Sequence, residues 1–281
     1  RRKKRLYTIK NKIFPVLIAG ILSGGILSIV FINPYDGRIL VSEAILQLSG
    51  SSGAFPLTPA FKDLISFTIR MIPDYMFELY IGIELYRHFC TASVYVFSRT
   101  PNRSRWYIRE VIEVAVAVFG YQIIKMFAAM SVTFLHYKIE PDHFGFFLLV
   151  FHIIVYSLWV FTVSLLINLI SIKYGSNNAF IWIVGIQIFM TALLELVQIF
   201  ESNLTLTKIF LNVNPIAHLV VGWHTGTIKE LKNSLEVTYI RLDFKVTLVT
   251  MLAISIFSVI VGMYLVSQHE FLILNANEEG D

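Results

Sequence analysis

The sequence holds a single cysteine, Cys90, so no intrachain disulfide can form and a zinc site built on clustered cysteines is excluded. Cys90 itself reads as a small buried apolar residue. Charge is scarce: 15% of the 281 residues, where soluble domains carry about 25%. No His-Glu-x-x-His occurs, which removes the metalloprotease reading. No G-x-x-x-x-G-K-[ST] occurs, so the chain has no phosphate-cradling loop of the usual ATPase kind. If ATP powers it, another subunit binds the nucleotide. No internal repeat is visible, which argues against inverted-repeat carriers. The net charge of +4 belongs to a sequence that is 56% hydrophobic. It is therefore examined loop by loop for orientation, and no nucleic-acid partner is expected.

Long uncharged runs are abundant. Neither 246–266 nor 145–172 contains a single Asp, Glu, Lys or Arg. About 20 apolar helical residues cross about 30 Å of hydrocarbon, so such runs predict membrane spans. They show no alternation of polar and apolar residues, which excludes barrel strands. The expected fold is all-α: one transmembrane domain over 1–281 with six spans. These are expected at about 13–32, 61–86, 111–135, 145–172, 179–200 and 246–266. The basic start, Arg1 to Arg5, and the apolar run behind it predict a retained first span, since the run is too long for a secretory signal. The lack of an initiator Met predicts further residues ahead of position 1. Between spans one and two, 42–59 is too polar to cross and reads as an outer loop, with one short helix over 39–48.

With the N-terminus inside, thirteen Lys and Arg fall in inner segments and seven in outer ones. The positive-inside rule then places both ends in the cytoplasm. The second span carries Arg70, Asp74, Glu78 and Glu84, which must turn toward protein or water. Its lipid face is expected to use Leu79, Ile81, Ile83 and Leu85. Span five carries a polar stripe of Gln187, Thr191, Glu195 and Gln198, and span four one of Ser157, Ser164, Asn168 and Ser171. Span three adds Gln122 and Lys125. The serines and threonines read as interhelical hydrogen-bond glue. Glu195 and Lys125 either pair with each other or line a route. Asp74, Glu78, Lys125, Gln187, Glu195 and Gln198 are the candidates for a translocation route. Gly20 and Gly24 form G-x-x-x-G, a close-approach motif that could serve a dimer.

Two connecting segments stand out. The inner loop 87–109 interleaves arginines with Phe89, Tyr95, Phe97, Trp106 and Tyr107, which predicts an amphipathic helix at the membrane surface or a docking element. The outer segment 201–243 contains 212–227, whose apolar centre is too short to span and fits a re-entrant or interfacial helix with Trp223 at headgroup level. His218 and His224, six apart, read as interfacial residues. Asn203-Leu204-Thr205 is a formal glycosylation sequon.

This layout resembles the membrane subunits of type-2 ABC exporters. The resemblance rests on the run from Phe77 to Tyr86 leading into Val94-Tyr95-Val96-Phe97-Ser98-Arg99, and on Asn214-Pro215-Ile216-Ala217-His218 leading to Trp223-His224. It is similar to small Gram-positive permeases of bacteriocin or antibiotic self-protection, which implies a bacterial multi-pass protein of the plasma membrane. The resemblance further implies a permease, not an enzyme, that exports or extracts an amphipathic peptide, antibiotic or lipid. It implies two permease chains, identical or homologous, and two copies of a cytoplasmic ATPase subunit that holds ATP and Mg. Under it, the inner loop is a coupling helix with Val94, Tyr95, Phe97, Arg99, Arg103 and Trp106 as contact residues. The alternatives are an intramembrane enzyme acting on lipid through Asp74, Glu78 or Glu195, and a channel or secondary carrier that needs no ATPase.

Overall fold

The computed structural model describes residues 2–33, 37–50, 61–95, 103–197, 203–227 and 242–268. The elements run α1 (Arg2–Phe31), β1 (Arg38–Leu40), α2 (Val41–Leu48), α3 (Phe61–Tyr95), α4 (Arg103–His136) and β2 (Lys138–Glu140). They continue with α5 (His143–Tyr174), α6 (Ser176–Leu193), α7 (Leu204–Val213) and α8 (Phe244–Gln268). Helices α1, α4, α5, α6 and α8 are long and apolar enough to cross a membrane. Helix α3, at 35 residues or about 52 Å, is not among them.

α5 is the axis of the bundle. Its most apolar stretch is 67% buried, against 28 to 39% for the other four apolar helices, and α2, α3, α4, α6 and α8 all pack against it. Serine 255 on α8 meets Thr162 on α5 at 2.8 Å, and Gly82 on α3 lets Ile167 of α5 come close. Strands β1 and β2 pair in parallel, Ile39 opposite Ile139. This ribbon ties the exit of α1 to the exit of α4, so the two helices point the same way. One core cluster gathers at the ribbon end and includes Leu27, Ile45, Phe67 and Leu148. A second cluster, with Val16, Phe89, Tyr107 and Val266, gathers at the opposite end. The long helices therefore alternate in direction, and the first turn described for α1 and the last for α8 share the end away from the ribbon.

Several expectations change. The Gly20–Gly24 face is occupied within the chain: an added Cβ at Gly20 would meet Ile124 at 2.8 Å, and one at Gly24 would strike the Lys125 carbonyl and Ala128. The contact is closed by hydrogen bonds from Tyr121 to Ser23 (3.2 Å) and between Ser28 and Thr133 (2.9 Å). The short helix expected over 39–48 is strand then helix, and α2 is part of the core, with Ala44 and Ile45 fully buried. Asp142 fixes it there, since one carboxylate oxygen accepts from the Ser42 amide (3.1 Å) and the other from the Gly145 amide at the start of α5 (3.1 Å). Gly145 is required at that approach, because a Cβ would meet Val41 at 2.5 Å.

The exposed face of α3 is not Leu79, Ile81, Ile83 and Leu85. Ile81 and Leu85 are buried, and the exposed stripe is Phe61, Ile65, Ile69, Ile72, Met76 and Tyr80, one turn apart. The inner loop holds no separate helix in its described part: 87–95 continues α3 and 103–109 begins α4. Cys90 is exposed rather than buried.

The α1–α4 contact gives a test. Gly24→Val should lower the melting temperature of the detergent-purified protein, with an overpacking loss of about 1–3 kcal/mol. Gly25→Ala, whose new methyl would lie 4.0 Å from Val132, should be near neutral. Equal effects would mean that the helices do not meet at Gly24.

Candidate functional site

The charged face of α3 organises a buried polar cluster. Arg70, Asp74 and Glu78 are each one turn apart, and all three are buried. Asp74 lies about 20 Å along α3 from the ribbon end, and Lys125 about 17 Å along α4, so they meet at similar depth. Lys125 donates to both Asp74 carboxylate oxygens, at 2.7 and 2.9 Å. Gln122, on the same face of α4, donates to Asp74 at 3.0 Å. The Lys125 ammonium also lies 5.4 Å from the Tyr121 ring and 5.5 Å from the Tyr156 ring, within cation–π range.

Glu78 is held from the other side. Gln187 on α6 donates to one of its oxygens at 2.9 Å, and Trp159 on α5 donates to Gln187 at 3.0 Å. Arg70 reaches outward along α3. It donates to the Gln47 carbonyl in the last turn of α2 (3.1 Å) and to Ser66 (2.6 Å), and lies 4.1 Å over the Phe31 ring. A cation at a helix C-terminus is favoured by the helix dipole. Each residue of the face thus meets a different helix: Arg70 meets α2 and α1, Asp74 meets α4, and Glu78 meets α6.

Of the six route candidates, the structure brings together Asp74, Glu78, Lys125 and Gln187. Glu195 does not join them. It sits in a 3-10 turn (Leu194–Leu196) at the end of α6 and is exposed, so it does not pair with Lys125. The stripe 187-191-195 breaks there because the helix tightens. Gln198 lies outside the described residues. Of the serine stripe on α5, Ser157, Ser164 and Asn168 are buried with no hydrogen-bond partner among the described residues. Ser171 bonds its own helix at Ile167. Among the described residues, that stripe makes no interhelical hydrogen bond.

The cluster is closed. The cavity beside Asp74, Lys125, His152 and Tyr156 is about 10 Å³, room for about one water. Sequence reasoning missed Tyr121, His152, Tyr156 and Trp159. Their signal was faint but present: 152, 156 and 159 are polar-tipped aromatics on one face of an otherwise apolar α5.

A second buried site lies at the ribbon end. The segment after α7 is not an α-helix at the interface. It turns through Ala217–Leu219 and Val221–Thr227 as 3-10 structure, and Ile216 to Val221 and Trp223 are buried. His218 and His224 are buried too and converge on one atom, the Thr247 hydroxyl of α8, at 2.7 and 2.8 Å. Six residues apart is not one helix face, but the 3-10 turns and the break at Val220 reverse that geometry. Burial holds both imidazoles below their ordinary pKa, His224 at about 4.

Among the partner-binding candidates, Trp106 is half-buried and meets the Phe89 ring at 5.8 Å, bracing α3 against α4. Arg103 is the first residue of α4. Val94 and Tyr95 lie in the last turn of α3 with their side chains outside the description, and Phe97 and Arg99 lie outside the described residues. Among the described residues, no group of His, Cys, Asp and Glu could hold a metal ion.

The ion pair supplies a test. Lys125→Met alone leaves Asp74 buried and unpaired and should destabilise by about 3–5 kcal/mol. The double variant Lys125→Met with Asp74→Leu should recover most of that loss. Glu195→Leu should change stability by no more than about 0.5 kcal/mol. Thermal unfolding of the purified variants reads all three, and a double variant no better than Lys125→Met would show that the pair is not self-contained.

Compared with known proteins, the chain matches no family model, no curated protein and no solved structure, so the reading of its function rests on its own residues and geometry.

Proposed function

We propose that the chain is the permease subunit of an ATP-driven exporter of the type-2 ABC kind, with six spans and both ends in the cytoplasm. The observation that carries this reading is the alternation of six long helices, with α3 and α4 the longest toward one end and a buried stretch of 3-10 turns at the other. The resemblance noted in the sequence implies the same order: an inner docking element between spans two and three, and an outer re-entrant segment between spans five and six.

Three further features support it. The exposed stripe on α3, from Phe61 to Tyr80, is apolar along its length, so α3 can present a lipid face while its charges turn inward. That supports reading it as a sixth span beside the five apolar ones. Second, α3 and α4 are 35 and 34 residues long, or about 52 and 51 Å, against about 30 Å of hydrocarbon. Their hairpin projects at the end where the basic residues concentrate. The neighbouring α5–α6 connection, by contrast, is a tight turn at Gly175, with φ 79°, and reaches out little. Third, the interior is closed around Asp74, which argues against a pore through one chain and against lipid chemistry at that carboxylate. A substrate path between two permease chains fits better. The substrate class is amphipathic, and ATP and Mg sit on the partner subunit.

The hairpin carries the mechanism. The connection between α3 and α4, which carries Tyr95 and Phe97, would seat in a groove of the ATPase subunit, and rings buried at such a contact are typical hot spots. Arginines at a solvent-exposed rim contribute about 1 kcal/mol or less. The test uses tagged protein purified in mild detergent from its native membranes. Wild type should recover an ATPase subunit that hydrolyses Mg-ATP, and Tyr95→Ala with Phe97→Ala should insert normally yet lose it. Arg99→Gln with Arg103→Gln should lose less. Wild type that recovers no ATP-hydrolysing subunit, or a ring variant that retains it, overturns the reading. In a Cys90→Ser background, Ser104→Cys should be shielded from an impermeant thiol reagent in intact cells and Lys232→Cys should react. The reverse pattern would invert the orientation.

A further inference from the structure

The hydrogen-bond geometry of the buried histidines has a property that burial alone does not give. We propose that His218, Thr247 and His224 together form a binding site for a single proton, shared across the hydroxyl, at the joint between the buried segment and α8. The inference does not depend on the transport reading.

Proton counting carries it. His218 Nε2 lies 3.0 Å from the Asn212 carbonyl oxygen, and His224 Nδ1 lies 3.1 Å from the Val220 carbonyl oxygen. A carbonyl oxygen only accepts, so each of these nitrogens carries a hydrogen. In neutral rings the other two nitrogens, His218 Nδ1 and His224 Nε2, are then bare lone pairs. Both face the Thr247 oxygen, at 2.7 and 2.8 Å. A hydroxyl has one hydrogen and can donate to only one of them. The other contact sets a nitrogen lone pair against an oxygen lone pair. One added proton removes the mismatch: one ring donates to Oγ1 while Oγ1 donates to the other. A second proton adds a second buried positive charge with no further mismatch to relieve.

The surroundings oppose that charge. Phe151 of α5 and Phe244 of α8 lie 5.1 and 5.3 Å from the His224 ring, centre to centre. Asp243, just before α8, is the carboxylate that favours the charged form of His224, and His218 opposes it. α7 contributes only the Asn212 carbonyl. Burial dominates, so both rings are held below the ordinary histidine range. The folded protein then binds the proton less tightly than the unfolded chain. Stability is therefore full above about pH 6.5, the ordinary value, and falls as pH drops toward about 4.

The test is a titration from pH 8 to pH 4 of the full chain in lipid nanodiscs, carrying ¹⁵N-histidine and read by NMR. Signals are assigned with His218→Gln and His224→Gln. Both rings should shift along one shared curve with one proton bound per chain and a midpoint below 6.5. Thr247→Val should split the curve or move its midpoint by at least one pH unit, a tenfold change in proton affinity. Thr247→Ser, which keeps the hydroxyl, should restore the shared curve. The proposal is overturned if the wild-type rings titrate independently or take up two protons. It is equally overturned if they bind none before the fold is lost, or if Thr247→Val leaves the shared curve in place.

Discussion

The Lys125–Asp74 pair sets the register on which the rest of the bundle depends. α3 places three charged residues on one face at intervals of one turn. Facing hydrocarbon, each would cost about 2.5–3.5 kcal/mol at mid-membrane, or roughly 8–10 kcal/mol together. That sum exceeds anything the apolar stripe could offset by rotation, so the face must find protein partners. Lys125 fixes Asp74 at two distances under 3 Å. The helix ruler then decides the rest: one turn up, Arg70 meets the end of α2; one turn down, Glu78 meets Gln187 of α6. A slip of one residue would lose all three contacts at once. The value of the ion pair lies less in its net energy, which desolvation erodes, than in this choice of register.

How much of this was legible follows from which signals are local. The apolar runs and the Arg70–Asp74–Glu78 spacing sit in one stretch of sequence each, and the helices and the inward-turned charges were read from them. Partner choice is not local. Nothing near Glu195 shows that α6 tightens into a 3-10 turn at its position, so it read as a partner of Lys125 or part of a route. The lipid face of α3 was placed too far along the chain, on Leu79 to Leu85, because those residues are apolar in composition. The helix face opposite Asp74 passes instead through Ile72, Met76 and Tyr80, and the residues beyond are covered by α5 and α4. Gly20 and Gly24 read as an outward motif because a sequence does not say whether the close neighbour is in the same chain.

The two ends of the bundle illustrate the same limit in opposite ways. At the hairpin end, alternating rings and arginines suggested a surface helix or a docking element, and much of the described stretch extends α3 and α4. The rings there have a structural use: Phe89 and Trp106 hold the two helices together within the second apolar cluster. At the ribbon end, a segment too short to span was expected to form a re-entrant or interfacial helix. It is drawn into the bundle because its backbone finds partners there. Asn214 donates to the Met190 carbonyl at 2.8 Å and accepts from Ile216 at 3.0 Å, and Tyr156 donates to the Leu219 carbonyl at 3.2 Å. Irregular backbone is tolerated at depth only when its polar groups are met in this way.

Tyr156 also joins the two buried sites. Its ring lies beside the Lys125 ammonium and its hydroxyl holds Leu219, the residue after His218. Contiguity alone does not make coupling; that requires an element with two arrangements that both sites bias. The ion pair shows none: Lys125 meets both Asp74 oxygens, and the cavity beside it has room for about one water. The His218–Thr247–His224 bridge can supply one, because its neutral form leaves one contact unmade and its charged form completes it at a desolvation cost. A change there would reach α8 through Thr247 and α5 through Leu219 and Tyr156, while the ion pair keeps α3 and α4 fixed. The bundle thus divides into a rigid half, locked by register, and a half whose contacts hinge on one proton.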